Sequence, residues 1–292
     1  MNRIRIKEDI IRNENAKKDI TIIHIADIHF SINTKFKDLE KLKNKIFLNN
    51  PDYLVITGDL IDEPSITKNK YKIKELLVFL TELSKFTKVL ISLGNHDIFT
   101  EEDKTFFKKI NEIKDIYILD NTSYQDEFIY IAGLTLPTQY YYNISNDESA
   151  EALLNELKNQ RKLLGSRLPR NIPKVMLIHS PLKLTEDQVL DKLSDYDLIL
   201  SGHTHNGMVP SLLDKLIKNN KGLVAPNKKL FPDISRGKVE KYHKGKNVTI
   251  IINGGITKLS NKSGKFLSSF NWLYDKNINK IIITKKRGKC YE

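Results

Sequence analysis

Ile20-Thr21-Ile22-Ile23-His24-Ile25-Ala26-Asp27-Ile28-His29 begins as an apolar, mostly β-branched run and ends in charge. Its first seven residues have the composition of a buried strand. The run stops at Asp27-Ile28-His29, where a carboxylate and an imidazole stand one residue apart. The pattern returns four times along the chain. Tyr53–Thr57 ends in Gly58-Asp59, and Lys88–Leu93 in Gly94-Asn95-His96-Asp97. Lys174–Ile178 ends in His179-Ser180-Pro181, and Asp197–Leu200 in Ser201-Gly202-His203-Thr204-His205. Helical periodicity fills Phe36–Leu48, Lys70–Lys85, Glu101–Lys114 and Ser149–Gly165, the last with Asp147 as its expected N-cap. Alternating strands and helices predict an α/β layered domain. Polar clusters just past strand C-termini lie where open α/β sheets bind ligands.

Working outward, Ile116–Leu119 and Glu127–Ala132 read as two strands, with a hairpin expected around Asp120-Asn121. Val248–Ile252 and Lys280–Lys285 read as late strands. Residues 1–18 read as an N-terminal tail or leading strand, and 19–292 as a single domain. Within it, 206–246 is rich in Gly, Pro, Asn and Lys and reads as an elaborated loop, with one short helix near Ser211–Lys218.

The 292 residues can bury a core without disulfides. The single cysteine, Cys290, cannot form an internal disulfide, so a reducing compartment is expected. The basic N-terminus lacks a following apolar segment and does not read as a secretory signal, and no apolar run is long enough to span a membrane. These features predict a cytoplasmic protein. The net charge of +12 leaves open contact with nucleic acid or, peripherally, with anionic lipid. Its lysines are dispersed, with no arginine block and no basic–aromatic interleaving.

Five of the seven histidines fall in the strand-end clusters: His29, His96, His179, His203 and His205. Imidazole with carboxylate suits a hard-to-borderline divalent cation. Read singly, the parts have plainer explanations. Asp59 could cap a helix, Asn95 could be a turn residue, and His179 could be a core histidine. Asp62 reads as a helix cap, His24 as a packed strand residue, and Tyr140–Tyr142 as packing rather than a substrate-stacking loop. Arg236, Lys238, Lys241 and His243 read as a solvated basic loop.

Taken together, in this order, the five motifs resemble those of the calcineurin-like metallophosphoesterases, over residues 27 to 205. The resemblance implies that family's fold, a four-layer α/β/β/α sandwich of two mixed sheets flanked by helices. It implies two divalent ions. Asp27, His29 and His205 would hold one, Asn95, His179 and His203 the other, and Asp59 would bridge both. Mn, Fe, Zn, Co and Ni all accept such a nitrogen and oxygen set. The implied reaction is hydrolysis of phosphodiester or phosphomonoester bonds by a hydroxide bridging the metals. His96 would protonate the leaving group or hydrogen-bond the phosphate, and Asp97 would orient His96. The implied partner is a phosphorylated small molecule, with a lean toward diesters. A metal-dependent nuclease and a non-catalytic protein-binding scaffold of the same fold are the alternatives. Where many relatives continue the last motif as Gly-Gly-Gln, this chain has Asn206-Gly207-Met208, so their substrates do not transfer.

Overall fold

The computed structural model describes residues 3–98, 101–137, 139–142, 146–163, 168–217, 220–224, 234–257 and 269–285. Cys290 and part of the 206–246 segment lie outside these residues.

Two six-stranded mixed sheets form the centre of the molecule. The first is ordered β1 (Ile4–Arg12), β12 (Lys276–Thr284), β2 (Ile20–Ile25), β3 (Tyr53–Thr57), β4 (Lys88–Ser92) and β5 (Ile116–Ile118). The second is ordered β10 (Gly237–His243), β11 (Lys246–Ile252), β9 (Leu198–Ser201), β8 (Lys174–Ile178), β7 (Tyr130–Leu134) and β6 (Ser123–Gln125). β2, β3, β4 and β5 run parallel, as do β7, β8, β9 and β11.

Alternation along each strand sorts side chains into layers. Ile20, Ile22, Val55 and Leu90 of the first sheet meet Ile131, Val175, Leu198 and Ile251 of the second in one buried cluster. The alternate residues Ile23, Ile25, Leu54 and Ile91 pack outward on α1 (Phe36–Phe47), α2 (Lys70–Ser84) and α3 (Glu101–Asn111). Met176, Ile178 and Ile199 pack on α5 (Asn146–Leu163) and α6 (Asp187–Leu193), beside the short α4 (Gln139–Tyr142). Strands covered on both faces read as unbroken apolar runs, which is why they were visible in the sequence. The architecture is the expected four-layer sandwich.

Four local expectations need correction. No hairpin joins β5 to the following strand. Asp120-Asn121 instead carries the chain from one sheet to the other, and the hairpin is β6–β7 across Asp126. Asp126 Oδ1 accepts the Phe128 and Ile129 N–H groups at 2.9 and 3.1 Å, closing that turn. Helix α5 begins at Asn146, so Asp147 lies inside it and is not its cap. The 206–246 segment is not all loop: Gly237–His243 pairs antiparallel with β11 as an edge strand, and 211–216 is a series of turns rather than a helix. Arg236, just before that strand, is buried and ion-paired with Asp214 rather than solvated.

Candidate metal centre

The C-terminal ends of β2, β3, β4, β8 and β9 converge, and all nine expected site residues lie in the loops that leave them. Asp27, His29, Asp59, Asn95, Asp97, His179 and His203 are buried, while His96 and His205 are partly open. Five of the nine hold positive φ: Asp27 (51°), His29 (47°), Asp59 (52°), His203 (68°) and His205 (48°). That region is unfavourable for residues with a Cβ, and its concentration in one site is characteristic of function. It turns the chain sharply at the ends of β2, β3 and β9. Gly58, at φ 76°, cannot be larger: a Cβ there would stand 2.5 Å from His179 Nδ1.

Backbone bonds fix the loops to one another. Asp27 and His29 donate their N–H groups to the carbonyls of Gly58 and Asp59 at 3.1 and 3.0 Å. The His203 N–H donates to both Asp27 carboxylate oxygens at 3.1 Å, which ties the second sheet to the first.

Among the described residues donor atoms gather in three groups, each with its atoms within 4.8 Å of one another. Asp27, His29 and His205 form the first, Asp59, His179 and His203 the second, and a third joins His29 to Asp62 and His96. In the second group His179 Nε2 is 3.2 Å from Asp59 Oδ2 and 3.2 Å from His203 Nδ1. Ligands about 2.0–2.2 Å from one ion, at tetrahedral or octahedral angles, stand roughly 3–3.5 Å apart, so this spacing fits a single cation. The first group is wider, with Asp27 Oδ1 4.0 Å from His29 Nε2 and 3.9 Å from His205 Nε2.

The ring orientations are set from behind. His179 Nδ1 donates to the Thr57 carbonyl at 2.7 Å and His205 Nδ1 to the Thr257 carbonyl at 3.0 Å. Each leaves Nε2 facing the centre, as metal-binding imidazoles require. His29 Nδ1 lies 3.3 Å from Asp62 Oδ1, within ion-pair distance but without a hydrogen bond. Asn95 Oδ1 and His29 Nε2 are buried with no hydrogen-bond partner. Buried polar atoms are normally satisfied, and bound cations would satisfy these two.

The electrostatics favour positive charge at this point. Burial works against ionising Asp59, but the neighbouring His179, His96 and His29 outweigh it and hold the carboxyl well below its usual range. Burial lowers His179, yet Asp59 and Asp27 raise it to about 9. His203 is pushed down to about 3 by burial and by His179, so it stays neutral with a lone pair to offer. His24, packed as expected, is held neutral by burial at about 3, with Nε2 2.8 Å from Thr57 Oγ1.

Two sequence readings change here. Asp97 does not orient His96. Its Oδ1 accepts the Leu60 and Ile61 N–H groups at 3.0 and 3.2 Å, and its Oδ2 the Gly94 N–H at 2.9 Å, so it clasps two loops. Burial and the charge of Asp59 raise this carboxyl to about 7. Asp62 is not a cap. The 3-10 helix that follows is entered through Glu63, and the buried Asp62 faces His29. His96 Nδ1 donates to the Asp62 carbonyl at 2.5 Å, so Asp62 serves both rings. The spacing Asp59-x-x-Asp62 was the available signal, and it is also how caps look.

Asn253 was missed altogether. It is fully buried after β11, and its Nδ2 donates to the carbonyl of His24 at 2.9 Å and to Asn279 Oδ1 at 2.7 Å. Asn253-Gly254-Gly255 is a sixth polar strand end, legible as such. Tyr140 and Tyr141 are buried packing residues; the Tyr141 ring meets His203 edge-on at 5.2 Å.

Comparison with known proteins places the chain in a family. Residues 20–207 match the family model described as calcineurin-like phosphoesterase. An uncharacterised metallophosphoesterase of Campylobacter jejuni is 30% identical over 228 residues, 75% of this chain and 52% of that protein. A UDP-2,3-diacylglucosamine pyrophosphatase of Chlamydia trachomatis is 23% identical over 243 residues, 71% of each chain. Among solved structures, a dimetal phosphatase from Danio rerio is similar over 83% of this chain and 90% of that one, with 10% identity and a TM-score of 0.44. The chain spans about half the length of the first curated relatives it matches.

Proposed function

We propose that this chain, which belongs to the calcineurin-like phosphoesterase family, hydrolyses phosphoesters at a two-metal centre formed by Asp27, His29, Asp59, Asn95, His179, His203 and His205. One observation carries the reading. Asp59 Oδ2 is 3.6 Å from His29 Nε2 and 3.2 Å from His179 Nε2, so a single carboxylate oxygen of the second donor group also faces the first. A ligand shared by two cations needs that position. Asp27, His29 and His205 would then complete one ion's shell, and Asn95, His179 and His203 the other's. The neutral Asn95 amide limits the negative charge brought to the pair.

Bound there, the divalent ions would acidify water near neutral pH and offset charge on the phosphate oxygens. Mn, Fe, Co, Ni and Zn all fit the donor set. The rest of the chemistry falls to the chain. His96 is the partly open imidazole at the rim, its side chain 15% exposed. With Nδ1–H held by the Asp62 carbonyl, its Nε2 can present a proton to the leaving oxygen when the ring is charged. Asp62 positions His96 and His29 together, and Asp97 keeps the loop carrying Asn95 and His96 closed on Leu60 and Ile61.

A disubstituted phosphate is the favoured substrate class. The Chlamydia relative is named for a pyrophosphate substrate, whose phosphorus atoms each carry two bridging oxygens, as in a diester. Nucleic acid is the second reading, motivated by the +12 charge. The test is chelation followed by return of Mn²⁺, Fe²⁺, Co²⁺, Ni²⁺ or Zn²⁺, with bis-p-nitrophenyl and p-nitrophenyl phosphate as substrates. Turnover restored by a metal supports the proposal. No turnover of either ester with any of the five would defeat the enzyme reading and favour a scaffold.

A further inference from the structure

The segment after the last histidine motif exposes large apolar side chains. Leu212 is 88% and Leu216 79% exposed, with Lys215 open to solvent between them. Trp272 is 64% exposed on the neighbouring 3-10 turn Ser269–Leu273. The two segments are joined: the Ser211 N–H donates to the Leu273 carbonyl at 2.9 Å, and the Asp275 N–H to Ser211 Oγ at 2.8 Å. Ile32, three residues past His29, is 52% exposed.

Topology puts these residues at the metal-centre end. β12 runs antiparallel to β2 with Asn279 opposite His24, which brings the start of β12, and the Trp272 turn before it, beside the end of β2 where Asp27 stands. Leu212 follows His205 by only seven residues.

The leucines are held outward from below. Asp214 pairs with the buried Arg236 and, at 3.0 Å, with Arg5, which also pairs with Asp275. Arg236 donates again to the Ile217 carbonyl at 2.8 Å. This ion network fixes the inner side of the 211–217 turns, so Leu212 and Leu216 cannot fold inward without breaking it. Exposed Leu and Trp on a pinned element, with lysine among them, are costly unless something apolar covers them.

We infer that this face docks on an anionic lipid bilayer, inserting Leu212, Leu216 and Trp272 at the headgroup boundary and turning the metal centre toward the membrane surface. Tryptophan and leucine with interspersed lysine match that boundary, where an indole is half apolar and half wet. Lys215 stands open between the leucines, and the chain as a whole carries +12, so attraction to lipid phosphate is favourable. A protein partner fits less well, because lysine is depleted from protein interfaces. Docking is independent of the hydrolytic reading, since its test needs no turnover.

The chain supplies its own reporter, because Trp272 is its single tryptophan. Intrinsic fluorescence of the full chain, titrated with phosphatidylglycerol–phosphatidylcholine vesicles, should shift to shorter wavelength and lose access to iodide. Pure phosphatidylcholine vesicles should bind at least about tenfold more weakly, and Leu212→Ser with Leu216→Ser should weaken binding to anionic vesicles by at least about tenfold. Both substituted side chains are exposed, and far-ultraviolet circular dichroism checks the fold of the variant. No shift at millimolar anionic lipid overturns the inference, as does equal binding to neutral vesicles or undiminished binding by the folded variant. A blue shift that follows protein concentration without lipid would also overturn it, assigning the face to a second copy of the chain.

Discussion

A single oxygen atom, Asp59 Oδ2, stands between two sets of imidazoles, and its removal should be felt by both. Asp59→Ala is expected to lower the content of both metals, as measured by plasma mass spectrometry. Full retention of one of them would show that the carboxylate does not bridge. His96→Ala should keep both metals and slow turnover by about 10²–10⁴-fold. Asp62→Ala is expected to do some of each, because Asp62 holds a donor ring and the rim imidazole. His179 makes the centre sensitive to pH. Its pKa is raised to about 9, above the unfolded value of 6.5, so the Asp59–His179 pair stabilises the metal-free fold fully below pH 6.5. That stabilisation fades as pH rises through 9. A metal must displace the same proton, so apparent metal affinity should climb by roughly tenfold per pH unit between 7 and 9. Calorimetry in buffers of different ionisation enthalpy would count the proton released. The donors were legible as residues because each ends a strand motif. Asp62 and Asp97 were misread because a carboxylate near a turn looks the same whether it caps a helix, clasps a loop or holds a ring.

At the scale of elements, β12 carries unusual weight. It lies between β1 and β2, and Ile281 is fully buried between the sheets. Ile281→Ala should cost about 2–5 kcal/mol in urea unfolding while leaving every donor side chain in place. A much smaller loss would mean that the layer around it can collapse. Gly58→Ala combines a strained φ with a Cβ in the path of His179, and it should reduce metal content at little cost to secondary structure. Strands such as Tyr53–Thr57 and Lys174–Ile178 matched their expected bounds because burial on both faces leaves a continuous apolar signal. β10 gave no such signal. Its Gly-Lys-Val-Glu-Lys-Tyr-His composition is that of a half-exposed edge, and Val239 is its one buried side chain. β5 and β6 have three residues each, too short for a period to declare which sheet receives them.

At the scale of the whole molecule, the +12 charge distinguishes the two substrate readings. If nucleic acid is the substrate, KM should rise steeply between 50 and about 200 mM salt, whereas hydrolysis of a small diester should change little. The sheet order has a consequence of a different kind, in time. Ile4 pairs with Lys276, and β1 has no other neighbour in its sheet. At about 5–20 residues per second, a ribosome needs roughly 15–50 s to make the partner that β1 is waiting for. Throughout that interval one flank of β2 and the whole of β1 are bare strand edges, the surface most prone to pair with the wrong chain. Nascent β1 is therefore a natural client for a holding chaperone, and slowing translation should lower the soluble yield of this protein rather than raise it.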